Sequence, residues 1–359
     1  MNELEKRKLP ELLQMNDGSR VTDAAQWPAR RREIMQILGT EEFGTLPQHE
    51  FTCNWEMLRE ESHYYHGGKS LLRSVRMDVT VNGKPFSWEF YYSLPKSETP
   101  VPVFLMPAFT IKMAGDFVPT EEICGRGFGV AKFDYQNVTT DDGDFTNGLS
   151  SLFYPDGTRK PHDGGKIAVW AWAAMRIMDY FVTVPEIDAN RIYIVGHSRL
   201  GKTALWAGAL DERFAGVVSV QSGCGGAAIA RGNTGETVRN ITQQFPFWFA
   251  PAYAAYADNE AAMPFDQHFL LAMAAPRKLV VTSAAGDLWA DPLGEYLGCV
   301  AVKPVYELLG FGGVPEREAL GDNAYLSGGQ VCYFRREGTH FFSRIDWNAI
   351  LDFLSGEQK

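Results

Sequence analysis

The residues that could do chemistry centre on Ser198, in the stretch RIYIVGHSRLGK from Arg191 to Lys202. An apolar, β-branched run from Ile192 to Val195 ends at Gly196, the serine follows two residues later, and the helix-forming TALWAGAL comes after Lys202. Strand, sharp turn, serine and helix is the layout that exposes a serine hydroxyl above an α/β sheet as a nucleophile. Small residues are required because the chain reverses tightly. The G-x-S-x-G form of this turn asks for glycine at position 200, where the chain has Leu200, with Gly201 one place later. A serine that only caps the following helix is the competing reading.

A serine hydroxyl is a weak nucleophile, so an imidazole must accept its proton and a carboxylate must orient that imidazole. On an α/β-hydrolase sheet the chain order is serine, then acid, then histidine. Of seven histidines, His49, His63, His66 and His162 precede the serine. His197 adjoins it, and a sharp turn points neighbouring side chains apart. His268 lies in a helix-like segment and is expected to hydrogen-bond in the core. His340, between the last strand and the last helix, is the expected base. For the acid, Asp287 is favoured because it follows the strand KLVVTS by a few residues. Asp291 is the alternative, although it precedes Pro292 and could instead cap the next helix. Glu236 and Asp266 are outside options, since their segments do not read as strand ends.

These residues need a scaffold, and the hydrophobic pattern supplies one. SLLRSVRMDVTVNGKPFSWEFYYSLP alternates apolar and polar residues around Asn82-Gly83, a hairpin signal. VPVFLMPAF and GFGVAKFDY are short, nearly continuous apolar runs, as in parallel strands buried on both faces. In KIAVWAWAAMRIMDYFVTVPEIDANR an apolar helix stops before Pro185 and leads to the strand before Ser198, and GVVSVQSGCGG, KLVVTS and GQVCYFRREGTH read as later strands. RIDWNAILDFL closes the chain as an amphipathic helix. Alternating helices and strands indicate a doubly wound sheet. Residues 139–165 have loop composition, long enough to be a candidate border of a cleft, with a plain surface excursion the alternative. We expect one domain over residues 1–359, with a helical lead-in over 1–50 and an aromatic-rich insertion over 225–264.

Composition narrows the function classes. With 359 residues, 45% hydrophobic and 22% charged, the chain has ample core. A formal net charge of -10 argues against nucleic acid or an anionic membrane as partner. The charged start lacks a signal-peptide apolar region, so either the protein stays in the cytoplasm or the chain begins after a removed signal, in which case it is secreted. Five cysteines without a C-x-x-C pair suggest reduced thiols and no structural metal.

The segments GHSRLGKTALWAGALDERFAGVVSVQSGCGGAA, PFDQHFLLAMAAPRKLVV, GDLWADPLGEY and GTHFFSRIDW together resemble the glucuronoyl esterase family, carbohydrate esterase family 15, whose bacterial members are often labelled acetylxylan esterases. The similarity runs from about Trp27 to Leu354, and G-x-S-R-x-G-K is far more specific than a bare nucleophile turn. The resemblance implies an α/β-hydrolase fold, a three-layer αβα sandwich with a mostly parallel central sheet, here with an N-terminal antiparallel hairpin. It implies cleavage, without a cofactor, of esters joining 4-O-methyl-glucuronoyl groups of xylan to lignin alcohols. Ser198 matches the family nucleophile and His340 its histidine. Arg199 matches an arginine that helps stabilise the oxyanion, Lys202 a lysine that contacts the uronate hydroxyls, and Gln244 and Trp289 sugar-contacting residues. Backbone amides near Leu200 and in the PAFT turn, Pro107 to Thr110, are expected to share the oxyanion.

Two departures stand out. Fungal members, and some bacterial ones, carry the catalytic Glu on the strand after the serine helix, where this chain has Gln221; other members place the acid after the later strand, in agreement with Asp287. Fungal members have a sugar-site Glu a few residues beyond the Gln, where only Ala252 and its neighbours stand. Rival readings are an acetylxylan or feruloyl esterase, and a carbohydrate-binding protein on a weakened hydrolase scaffold.

Overall fold

The computed structural model describes residues 3–62, 66–109 and 117–356. Ten strands form one sheet: β1 (Phe51–Ser62), β2 (Ser70–Val81), β3 (Lys84–Pro95), β4 (Val101–Ala108), β5 (Gly129–Asp134), β6 (Ile187–His197), β7 (Gly216–Val220), β8 (Lys278–Ala284), β9 (Ala324–Gly328) and β10 (Val331–Arg336). Their spatial order is β1-β2-β3-β5-β4-β6-β7-β8-β10-β9. From β5 to β10 every neighbouring pair is parallel; the remaining pairs at both edges are antiparallel.

Alternation along the central strands builds a core on each face. Val103 and Leu105 of β4 and Ile192 and Ile194 of β6 join the larger cluster. That cluster includes the helices α1 (Trp27–Glu41), α2 (Lys166–Phe181), α3 (Arg199–Leu210) and α4 (Pro292–Ala301). Phe104, Met106, Tyr193 and Val195 point the other way, into a smaller cluster closed by Trp347, Ile350 and Leu351 of α5 (Arg344–Ser355). Because successive side chains on a strand face opposite sides, strands buried throughout, such as β4 and β7, are apolar at nearly every position, and the buried Ser219 of β7 bonds through its hydroxyl to Ser222. This is the α/β-hydrolase architecture, a sheet between two helical layers.

Asn82-Gly83 makes the expected hairpin. Val81 pairs with Lys84, and both turn residues have positive φ, 50° and 75°, as a two-residue primed turn requires. Two strands escaped the sequence reading, and both are edges. β1 is exposed along almost its whole length, so it lacks the apolar alternation that marks a half-buried strand; its charged Arg59, Glu60 and Glu61 also discourage pairing with another chain. The lead-in is helical over Trp27–Glu41, whereas Lys8 to Asp23 runs as turns and irregular chain. PLGEYLGCVAVKPVYELLG divides into α4 and a short helix Lys303–Leu308 with Pro304 in its first turn, since proline cannot donate within a continuing helix.

Parallel strands put their C-terminal ends on one edge of the sheet. His197 lies in register with Val220, Val220 with Thr282, and Ala284 with Arg336. The turns that follow β6, β7, β8 and β10 therefore emerge side by side. They carry Ser198, Gln221, Asp287 and His340.

Candidate active site

The serine turn is set by steric necessity. A Cβ on Gly196 would lie 1.9 Å from the carbonyl oxygen of Leu200. One on Gly201 would come within 3.0 Å of the Ser222 side chain. Leu200 itself is wholly buried, at 0% exposure. The two close approaches thus fall at 196 and 201, while position 200 serves the core, which accounts for the departure from G-x-S-x-G. Ser198 has φ 59° and ψ −128°, a conformation that costs an L-residue energy and is typical of functional turns. It is held because Ser198 N donates to Val220 O at 2.9 Å and Gly201 N donates to Ser198 O at 2.9 Å. No side-chain capping bond is made by Ser198, which leaves its hydroxyl available at the cavity.

The β8 and β10 turns are stitched together by their backbones: Ala285 N donates to Arg336 O and Gly286 N to Gly338 O, each at 2.8 Å. His340 Nδ1 and Asp287 Oδ2 are 2.6 Å apart, with Asp287 buried. An ionised carboxylate can only accept, so Nδ1 carries the proton and Nε2 is left as the basic nitrogen. Asp291 is not brought to His340. Its Oδ1 accepts from Gly294 N at 3.0 Å, so it caps α4.

Gln221 grips the chain beside the histidine rather than the imidazole. Its Oε1 accepts from Phe341 N at 2.8 Å and its Nε2 donates to Phe341 O at 3.1 Å. Arg336 adds a further contact to Phe341 O and ties back to Asp346 at 2.7 Å. The amide at 221 thus fixes the loop of His340 without offering charge. His197, beside the serine, packs its ring 4.6 Å from that of His340. Burial, with His340 nearby, pushes its pKa down to about 3, so it stays neutral. His268 lies in the core, its Nε2 3.0 Å from Pro10 O.

Ser198, Asp287 and His340 open onto a cavity of about 350 Å³ whose other walls include Arg199, Lys202, Glu236, Gln244, Trp248 and Trp289. Gln244 is exposed at the end of the helix Val238–Gln244, and Trp289, 55% exposed, stands at the mouth. Lys202 is buried and donates through Nζ to Ser222 O at 2.5 Å. Burial lowers its pKa, against the opposing pull of Glu236. Glu236 is shifted upward by burial and held back by Lys202 and a hydrogen bond from Trp289. A buried cation and a buried carboxyl beside one another suit a ligand rich in hydroxyls, which can both donate and accept.

Sequence reasoning weighed Glu236 only as a remote acid and did not single out Trp248 or Asp141. Glu236 lies eight residues before Gln244 and carries no strand or motif signal. Asp141 belongs to the 139–165 loop, none of whose residues lines the cavity itself; the loop reaches the site through Arg199, with which the Asp141 carboxylate pairs. Leu200 and the residues to Phe109 are among those described; Thr110 of the PAFT turn lies outside them.

Comparison with known proteins follows the same lines. The family model for fungal glucuronyl esterases matches residues 77–310. The chain is 33% identical to carbohydrate esterase MZ0003 of an unknown prokaryotic organism over 97% of its own length and 89% of that protein's. It is 28% identical to a 4-O-methyl-glucuronoyl methylesterase of Schizophyllum commune, over 96% of this chain and 79% of the relative. Among solved structures, the glucuronoyl esterase of Solibacter usitatus superposes with a TM-score of 0.87 at 34% identity, covering 98% of both chains.

Proposed function

This chain belongs to the glucuronoyl esterase family, carbohydrate esterase family 15, and as a carboxylic ester hydrolase of that family we propose that it cleaves 4-O-methyl-glucuronoyl esters linking glucuronoxylan to lignin alcohols. One observation carries the reading: the His340–Asp287 pair lines the same cavity as the buried Lys202 and Glu236 side chains. Acyl-transfer groups and a hydroxyl-binding wall within about 350 Å³ suit an ester whose acyl part is a sugar acid.

In this mechanism His340 Nε2 takes the Ser198 proton as the hydroxyl oxygen attacks the ester carbonyl. Asp287 keeps the imidazole oriented and stabilises the imidazolium that forms. Arg199 and the backbone amides after Ser198 meet the negative charge on the carbonyl oxygen. His340 then protonates the leaving alcohol, and water, activated by the same imidazole, releases the uronic acid. Lys202, Glu236, Gln244 and Trp289 hold the sugar.

The test is a substrate panel. Benzyl glucuronate should be turned over with a higher kcat/KM than acetylated xylan or methyl ferulate. A clear preference for either of those would replace this reading with the corresponding acetyl or feruloyl esterase. Fluorophosphonate labelling of Ser198 separates any of these enzymes from a carbohydrate-binding protein.

A further inference from the structure

Arg199 does not stand alone beside the serine. Its Nη1 pairs with Asp141 Oδ2, and the Asp141 side chain is 8% exposed against 26% for Arg199. The same carboxylate accepts from Trp248 Nε1 at 2.7 Å through Oδ1 and from Tyr135 Oη at 2.9 Å through Oδ2. The Tyr135 hydroxyl in turn accepts from Gln136 Nε2 at 3.1 Å. Burial is the main cause of a Tyr135 pKa pushed up to about 12, so it remains a donor. The guanidinium is also packed among rings, 4.6 Å from the centre of Trp248, 5.4 Å from Phe245 and 5.7 Å from Phe109. Phe245 and Trp248 stack at 3.8 Å with planes 2° apart. Arg199 Nε is buried and finds no partner among the described residues, although a guanidinium carries five N–H donors and a buried one normally bonds.

We infer that Asp141 is the positioning residue that aims Arg199 at the oxyanion of the reaction, holding one guanidinium nitrogen so that the group keeps a fixed direction at the cavity wall. The inference rests on the esterase reading of the site and adds to it a residue from the 139–165 loop. Two effects compete. A carboxylate beside the arginine offsets part of its positive charge, which by itself would weaken oxyanion binding. Fixing a long, flexible side chain acts the other way, because donors that are preorganised need not reorganise as charge develops. A carboxylate that accepts from three side chains on separate elements is built for the second purpose. Losing one oxyanion donor costs about 10²–10³ in kcat, and misdirecting one should cost part of that.

The experiment is a double-mutant cycle on p-nitrophenyl acetate, an activated ester that needs no sugar contact, so a failed glucuronate preference leaves it readable. Asp141→Asn should lower kcat by about 10–100-fold with KM changed less than about threefold. In an Arg199→Ala background the same change should lower kcat by less than about threefold, because the group being aimed is gone. Asp141→Glu should recover part of the loss. Asn keeps the shape of Asp, so it carries the test if Asp141→Ala does not fold, and melting temperatures confirm that the variants compared are folded. Equal losses in both backgrounds would make Asp141 a structural residue only, and an unchanged or raised kcat would mean that its charge outweighs its positioning; either result overturns the inference.

Discussion

The two walls of the cavity are built differently. On one side Ser198, Asp287 and His340 sit within a few residues of parallel strand ends, and their spacing follows from sheet register. On the other, Glu236, Gln244 and Trp248 come from the insertion after β7, and Asp141 of the loop after β5 stands behind Arg199. The first wall inherits its precision from the sheet. The second depends on local stacking and hydrogen bonds, such as the Phe245–Trp248 pair and the Asp141 carboxylate. The chemistry is therefore held by the fold, while the proposed sugar contacts are shared between Lys202 of α3 and structures added to the fold.

Mutations should divide along this line. The largest effect belongs to the strand-borne wall: Ser198→Ala and His340→Ala should each lower kcat by roughly 10⁴ or more on every ester. Melting temperatures should stay near wild type, and residual turnover within tenfold of wild type in either variant would break the assignment.

The sugar wall should respond selectively. Lys202→Met and Glu236→Gln should raise KM for benzyl glucuronate by about 10–100-fold, the scale of a few lost hydrogen bonds to charged groups. On p-nitrophenyl acetate the same variants should be nearly unaffected. Equal losses on both substrates would erase the distinction between the walls.

Gln221→Ala is a smaller test. It removes two hydrogen bonds to the Phe341 backbone, each worth about 1 kcal/mol, and should slow kcat by about tenfold through a looser His340 loop. A loss as large as that of Ser198→Ala would give Gln221 a direct part in the chemistry.

The last effect is on stability rather than rate and concerns a buried carboxyl away from the cavity lining. Glu42, at the end of α1, is buried, and burial raises its pKa to about 8. Gln267 Nε2 donates to its Oε1 at 2.9 Å, while Oε2 has no partner among the described residues. A carboxyl whose folded pKa lies above its unfolded value stabilises the fold most fully below about pH 4.5, and that contribution is lost as pH rises through about 8. Glu42→Gln should therefore lie closer to wild type in melting temperature, or exceed it, at pH 9 than at pH 5. A gap that widens with pH would mean that Glu42 is ionised in the folded protein.

What could be read from the sequence follows the same division. The buried strands, the Asn82-Gly83 hairpin and the place of Ser198 are encoded in local runs of apolar and small residues. The order of serine, acid and histidine follows from the sheet. The competition between Asp287 and Asp291 was visible as well, since Pro292 after Asp291 already suggested a helix cap. Edge strand β1 was not legible, because exposure on both faces removes the alternation. Asp141 was not either: in TTDDGDF it looks like any turn-forming aspartate, and only the folded chain brings it to Arg199. Glu236 lacked a signal for the same reason, Lys202 on the same cavity wall being 34 residues earlier in the chain.

The central claim is that the carboxylate after β8, and not an acid after β7 or at the cap of α4, works with His340. The most direct measurement is release of benzyl alcohol from benzyl glucuronate by wild type, Asp287→Asn and Asp291→Asn. Wild type should turn over, Asp287→Asn should lose about 10²–10⁴ in kcat with little change in KM, and Asp291→Asn should keep kcat within about threefold while losing about 1 kcal/mol or less of stability. An Asp287→Asn enzyme at the wild-type rate, or a larger loss at Asp291, would contradict the account.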